Sequence, residues 1–438
     1  MSWRSKTRNY LVFLWRCARI AFDGDWRYYS WMGLLSIVVL LGINAYTRQF
    51  VHGLITTGMS DQVSWGVYIA NFTFIVGIAA AAAMLVIPVY IYNNKELHDL
   101  VIFGELLAVA AILMCLAFVT VDLGRPDRFW HLIPGLGKFN FPGSMLSWDV
   151  IVLNGYLLLN VHICGYLLYC RYVGRRPATW FYIPFVFVAI VWAVSIHTVT
   201  AFLYVGLGGR PFWNSSIVGP RFLASAFTAG PSLIILALQV IRRVTDYRIS
   251  DRALLTLRSI VQVSMLINVF LLANEIFKEF YTRTSHVASS KYLFFGLHGY
   301  HSLVPWIWIA ITFNFVSMAL LVLPLSKSLK YLNLACVLAI VGIWIEKGMG
   351  LVVPGFIPTP LGEMVEYSPS LNETIVCLGI WAFGFLCYTV FLRMSIPILQ
   401  GRLSQANERR PEYMGGPAHL NPETSNQRAA ASGKPACH

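Results

Sequence analysis

The sequence predicts an all-α, polytopic membrane protein with about ten transmembrane helices. Three observations point there. Charged residues make up 12% of the chain and hydrophobic ones 57%, whereas soluble domains carry about 25% charged residues. Mean hydropathy is +0.63. The apolar residues come in blocks of roughly 20–28, the length a helix needs to cross a hydrocarbon core. Backbone groups in lipid must be satisfied within their own segment, so each block is expected to be helical. A large soluble helical protein does not fit this pattern.

The elements follow in chain order. Residues 1–28 read as a cytoplasmic, interfacial segment. Within it "YLVFLWRCARIAF", residues 10–22, has no cleavage site, so it is not a signal peptide. Its aromatics and Arg16 and Arg19 suit a helix lying in the headgroup layer. Residues 29–398 form the membrane domain, with spans at 29–47, 65–92, 100–122, 147–171, 180–205, 219–241, 256–281, 302–325, 330–352 and 373–398. The connections 50–64, 123–146, 206–218, 282–301 and 353–372 are long, and those on the other side are tight. Residues 399–438 are polar and rich in Pro, Gly and Asn, the composition of a disordered cytoplasmic tail. Two bundles, at about 65–205 and 219–352, show weak internal similarity. "YIANFTF" aligns with "FLASAFT", and Asp122 with Glu275. Four spans return the chain to its starting side, so such repeats run parallel.

The formal net charge of +13 follows topology rather than marking a nucleic-acid binder. Arg4, Lys6, Arg8, Arg16, Arg19 and Arg27 precede the first span, and Arg171, Arg175, Arg176, Arg242, Arg243, Arg248, Arg252, Lys327 and Lys330 lie in tight loops. The long loops hold fewer: Arg48, Arg125, Arg128, Lys138, Arg210, Arg283 and Lys291. By the positive-inside rule both termini are cytoplasmic and the long loops are outside. The location expected is a bacterial inner membrane. The eight cysteines are scattered with no CxxC, so no iron–sulfur cluster and no metal site is expected within this chain.

Ionisable side chains inside spans cost about 2.5–3.5 kcal/mol each on the insertion scale and are functional candidates by default. They concentrate towards the outer side: Asp122, Asp149, Arg221, Glu275, Lys278, Glu279, Glu346 and Lys347. The inner half holds Glu105 and Arg258. Glu275 and Glu346 lie about six residues, roughly 9 Å, below the outer helix ends. Short carboxylates do not reach water over that distance, so they need partners or a polar cavity. A polar pocket open to the outer leaflet is the expectation. His162 and His197 are the obvious haem pair, but they sit roughly 22 Å and 12 Å below the outer surface, so shared axial ligation is not expected.

A lipid-soluble quinol suits such a pocket. It needs hydrogen-bond partners at its ring oxygens, an acid or His to take protons, and an apolar wall. The stretch "DLGRPDRFWHLI", residues 122–133, and its neighbours offer these. The candidate catalytic residues are Asp122, His131 and Asp149. The candidate quinone-binding residues are Arg125, Phe129, Trp130, Trp148, His197 and Arg221, with Arg125 able to hold a carboxylate as a bidentate pair. A candidate proton route uses Glu105 and His162 in the inner half and Glu275, Glu346 and Lys347 above. With no redox centre of its own, the chain needs partners that carry electrons.

"DLGRPDRFWHLI…SMLSWDVIVLNGYLLLN", "GMSDQVSWGVYIANFTFIVGIAAAAAM", "SIHTVTAFLYVGLGGRPFW" and "IEKGMGLVVPGF" together resemble the NrfD/polysulfide reductase membrane-subunit family over about residues 50–395. The ten-span count is most similar to the branch containing the Qrc membrane subunit, DsrP and HmcC. The resemblance implies a cofactor-free subunit of two four-helix bundles. It also implies a menaquinone site near the extracytoplasmic surface under a ferredoxin-like iron–sulfur subunit, often completed by a molybdopterin-type subunit or a multihaem cytochrome c. Carried onto this chain, it makes Asp122, His131 and Asp149 the site residues and Arg125 the loop anchor, and assigns Glu275 and Glu346 to proton conduction. Two other functions compete: a proton-conducting subunit, and a purely structural anchor whose buried charges fix bundle geometry.

Overall fold

The computed structural model describes residues 3–92, 94, 96–282, 284 and 287–405. Most of the proposed tail, residues 406–438, lies outside the described residues, as does Arg283, counted among the long-loop cations. The fold is all-helical, with no strand among the described residues and ten helices long and apolar enough to cross a membrane. It is a multi-pass integral membrane protein.

Helix α1 (Trp3–Ala21) precedes the first span. It turns Phe13 and Cys17 inward and leaves Leu11 and Trp15 exposed. Phe13 packs edge-on to Tyr169 and tilted on Tyr172. The first span, α2 (Trp26–His52), starts where the Asp25 carboxylate accepts from the Tyr28 N–H at 3.0 Å. This cap satisfies one of the unpaired amides of a helix start.

The second span is broken into α3 (Val67–Ala80) and α4 (Ala83–Tyr90). The remaining spans of the first half are α5 (Val101–Asp122), α6 (Met145–Val173) and α7 (Thr179–Val205). Helix α6 ends at Gly174, whose φ of +74° a residue with a side chain rarely adopts. The second half is α8 (Val218–Val244), α9 (Asp251–Thr282), α11 (Val304–Val322) and α12 (Leu329–Lys347). A short helix, α10 (Val287–Phe295), lies between α9 and α11 where the sequence suggested only a loop. Helix α12 continues as a π-turn over Gly348–Val352, which carries that span to Phe356. The last span is α13 (Leu371–Leu399), opened by a capping box in which Ser370 and Glu373 bond each other's backbone N–H.

Helices α3, α5, α6 and α7 pack as one ring of neighbours, and α8, α9, α11 and α12 as a second ring in the same order. The rings meet where α3 and α7 lie on α8 and α3 on α12. Helices α2 and α13 pair with each other, and α13 rests on α5. The core is deepest in α3 and α5, each buried over most of its length. The long connections 53–66, 123–144, 206–217, 283–303 and 357–370 share one end of the bundle, the long-loop face; the opposite end has tight turns.

Candidate functional site

Below the long-loop face, polar side chains gather in three places. The first is where α2, α3, α5 and α13 meet. Gln49 donates to the Val121 carbonyl at 2.6 Å and accepts from the Tyr68 hydroxyl at 2.6 Å. Asp122 follows directly, with its Oδ1 buried and without a hydrogen-bond partner among the described residues. Glu373 is fully buried nearby and accepts from Gly58 N at 2.7 Å, Ser370 N at 2.8 Å and the Tyr367 hydroxyl at 2.9 Å.

The second place is the upper part of the first ring. Asp149 is 2% exposed, and the Thr200 hydroxyl lies 3.4 Å from its Oδ1. Tyr204 lies on α7 one helical turn beyond Thr200. Its hydroxyl makes a close hydrogen bond with Thr73. Above Tyr204 sits an aromatic roof assembled from distant segments. Trp65 stacks on Trp213 at 5.7 Å, and Phe356 meets both edge-on. Arg210 lies 4.6 Å over the Phe356 ring.

The third place is in the second ring. Arg221 pairs with Glu275 and also donates from Nε and Nη2 to Glu346 Oε1 at 3.1 and 2.9 Å. Asn314 donates to the other Glu346 oxygen at 2.6 Å. Lys347, 5% exposed, places its ammonium 3.2 Å from the Phe222 ring centroid, a cation–π contact.

The expectation of one pocket lined by all the outer acids is therefore corrected. Arg221 satisfies Glu275 and Glu346 inside the second ring, so these carboxylates have partners and need no cavity. Asp122 and Asp149 stay with the first ring. Two small cavities occur near the ring interface, and neither is lined by Asp122, Asp149 or His131.

The loop residues also sit differently from the expectation. Arg125 forms its bidentate pair with Asp127, at 3.0 and 2.9 Å, two residues along the same exposed loop. That pair anchors the loop to itself, because the nearby Pro126 turn brings the two side chains together. It holds Asp127 below the usual carboxylate range through the Arg125 hydrogen bonds and charge. His131 is exposed and stacks on Trp130 with ring centroids 3.9 Å apart. Among the described residues it makes no hydrogen bond to Asp122 or Asp149. Phe129 and Trp130 are exposed, and Trp148 donates to the Pro142 carbonyl at 2.9 Å.

In the inner half, Glu105 is buried and accepts from the Cys164 thiol at 3.1 Å. His162 is half-buried between the edges of Phe181 and Phe185, with Nε2 unpartnered among the described residues. His197 is 2% exposed and bonds the Ala193 carbonyl through Nδ1 at 3.1 Å. No group of three or more His, Cys, Asp or Glu side chains among the described residues is arranged to hold a metal ion.

Residue-by-residue reading did not single out Gln49, Tyr68, Tyr204, Asn314, Glu373 or the aromatic roof. Glu373 carried a signal, since Ser370-Leu-Asn-Glu373 is a capping-box pattern. Asn314 is a lone amide in an apolar run. The roof carried none, being built from three segments far apart in the chain.

The family model described as "Polysulphide reductase, NrfD" matches residues 55–357. The chain belongs to this family. The match spans both rings and the loop after α5. A protein of Halobacterium salinarum, named as a dimethyl sulfoxide reductase membrane subunit, is 26% identical over 408 residues, covering 83% of this chain and 90% of that protein. The Hdr-like menaquinol oxidoreductase integral membrane subunit of Archaeoglobus fulgidus is 23% identical over 385 residues, with 84% and 93% covered. A selenate reductase subunit of Mesobacillus selenatarsenatis is 22% identical over 419 residues, with 83% and 93% covered. These relatives of the NrfD-family chain are, by name, subunits of oxidoreductases, and two of them are named as membrane subunits.

Proposed function

We propose that this NrfD-family chain is the quinone-reactive membrane subunit of a respiratory oxidoreductase complex in a bacterial inner membrane. Its substrate is menaquinone or menaquinol. The long-loop face is extracytoplasmic in this reading, and both termini are cytoplasmic. A menaquinol meeting this face gives up two protons and two electrons. Asp122 and Asp149 take the protons. The electrons pass to a ferredoxin-like iron–sulfur partner docked on the long loops, with a multihaem cytochrome c or molybdopterin-type subunit beyond it. Phe129, Trp130 and Trp148 offer the ring an apolar margin, and Arg125 and His131 lie on the same loop.

The observation that carries the reading is a pair of acids on α5 and α6, half-buried Asp122 and buried Asp149. Among the described residues, one oxygen of Asp122 has no hydrogen-bond partner, and Asp149 has a 3.4 Å contact from Thr200 alone. A structural carboxylate at such depth would be paired, as Glu275 and Glu346 are. The family relative named as a menaquinol oxidoreductase subunit supports the choice of substrate class. Glu105, His162, Glu275, Glu346 and Lys347 are the ionisable groups available for moving protons further across the membrane.

The test uses the assembled complex in proteoliposomes with a trapped pH indicator. Asp122→Asn and Asp149→Asn are expected to lower quinol-linked turnover at least a hundredfold while all subunits still co-purify. Wild-type turnover in both variants overturns the assignment. Turnover in the wild type without a change in internal pH removes the proton-conducting role and leaves the quinone role standing.

A further inference from the structure

A small cavity lies at the interface of the two rings, bounded by Thr73 and Gly77 of α3, His197 of α7, Phe222 and Ser225 of α8 and Lys347 of α12. Its free space is close to that of a single water. Four polar groups face it from both rings. The His197 ring donates from Nδ1 to the Ala193 carbonyl, so a neutral ring presents Nε2 as an acceptor. That Nε2 is buried and has no hydrogen-bond partner among the described residues. Lys347 lines the same cavity from the α12 side. The adjoining Glu346 is committed to Arg221 and Asn314, so the Lys347 ammonium is left facing the Phe222 ring and the cavity. The Ser225 hydroxyl donates to the Phe222 carbonyl and keeps its lone pairs to offer, whereas Thr73 donates to the Ile69 carbonyl, accepts from the Tyr204 hydroxyl and keeps one lone pair.

We infer that this cavity binds one water molecule joining His197 Nε2 to Lys347 Nζ, and that a proton crosses between the two rings through it. The water donates to Nε2 and accepts from the ammonium, and its second hydrogen meets Ser225 or Thr73. Two to four polar partners are what a buried water requires, and the three used here come from both rings. In the transfer, Lys347 gives a proton to the water as the water gives one to Nε2. Lys347 becomes a neutral amine and His197 an imidazolium, with no electron moved. Thr200, which contacts Asp149, is one helical turn along α7 from His197. The charged network of the second ring thus lies next to the acids of the first. The water site stands apart from the quinone reading; the direction and use of the proton rest on it.

Gly77 supplies the control. A methyl added there would lie 4.0 Å from His197 Nε2 and no closer than 3.4 Å to Ala226, so Gly77→Ala fills the cavity without a backbone clash. The assembled complex is exposed to radiolytic hydroxyl radicals in ¹⁸O water. Phe222, only 2% exposed, is expected to be oxidised at least fivefold more than the fully buried Phe103 and Phe118, and Gly77→Ala should abolish the difference. Equal labelling of the three phenylalanines in the wild type overturns the water site. In the second arm, His197→Phe and Gly77→Ala are expected to slow quinol-linked turnover tenfold or more. The solvent deuterium isotope effect should rise as the proton step becomes limiting. Wild-type turnover in both variants overturns the hand-off and leaves the quinone assignment intact. A wild-type complex that does not oxidise quinol removes the quinone assignment and the hand-off together, while the labelling still judges the site by itself.

Discussion

Arg221 shows how one side chain redistributes the chemistry of several. Sequence reading found Arg221, Glu275 and Glu346 because each is an ionisable residue in an apolar run. That rule locates expensive residues but is silent on which of them meet, since the three lie on different helices. In the structure the guanidinium fork spans both carboxylates, and Asn314 completes Glu346. Removing the cation leaves two carboxylates buried and uncompensated. Breaking a buried pair in this way costs about 3–5 kcal/mol, whereas replacing the whole set by apolar or neutral groups of similar volume is often close to neutral. Arg221→Met is therefore expected to lower the thermal unfolding midpoint of the purified protein sharply. The triple variant Arg221→Met, Glu275→Gln, Glu346→Gln should recover most of the loss. A single variant as stable as the wild type would show that the carboxylates are protonated and need no partner. The same logic separates Asp122 and Asp149 from this trio: among the described residues neither is paired with a cation, which suits groups that gain and lose protons.

At the scale of elements, the ten spans were legible to within a few residues because hydrocarbon thickness sets helix length. What was not legible depends on packing. The α9 helix begins at Asp251, five residues before the apolar run expected at 256, because its first turn is polar and no lipid criterion sees it. Helix α10 and the π-turn after Lys347 are short and lie beside loops, where apolar periodicity carries little information. The pairing of α2 with α13 joins the first and last spans, and it rests on a contact that composition does not show. A Cβ on Gly42 would lie 2.7 Å from the Gly379 Cα, so the two backbones touch at this crossing. Small residues let membrane helices approach closely, and dispersion then replaces the missing hydrophobic drive. Trp31 also reaches Thr389 across the pair at 3.2 Å. Gly379→Leu is expected to force the helices apart and weaken α2 locally. Hydrogen exchange over residues 30–50 should rise at least tenfold while α8 and α9 keep wild-type protection. Unchanged exchange in α2 would mean that Gln49 and Tyr68 hold it in place without the crossing.

For the whole molecule, the parallel repeat and the charge bias make one argument. The two rings have the same order of neighbours, as expected of four-span units that each return the chain to its starting side. They meet through small residues: a Cβ on Gly230 would overlap Ala81, and Gly77 faces Ala226. Sequence similarity between the halves was faint because only the helix lengths and a few small or polar positions need to be shared. The candidate site was legible as a set of costly residues but not as a place, since the interface, the aromatic roof and the Arg221 trio all depend on contacts between distant segments. The orientation proposed above rests on composition alone. The helix ends and turns opposite the long-loop face carry Arg171, Arg175, Arg176, Arg242, Arg243, Lys327 and Lys330, and the positive-inside rule expects such a cationic end in the cytoplasm. Lys138, in the long loop after α5, and Lys327, in a tight turn, are both exposed and lie at opposite ends of the bundle. With Cys387 and Cys437 replaced by serine, Lys138→Cys is expected to react with a membrane-impermeant maleimide in cells whose outer membrane alone has been opened. Lys327→Cys should react only after the inner membrane is permeabilised. The six other cysteines are buried and supply a low background. The reverse pattern would put the loop carrying Arg125 and His131 in the cytoplasm, and with it both the proposed quinone face and its electron-carrying partner.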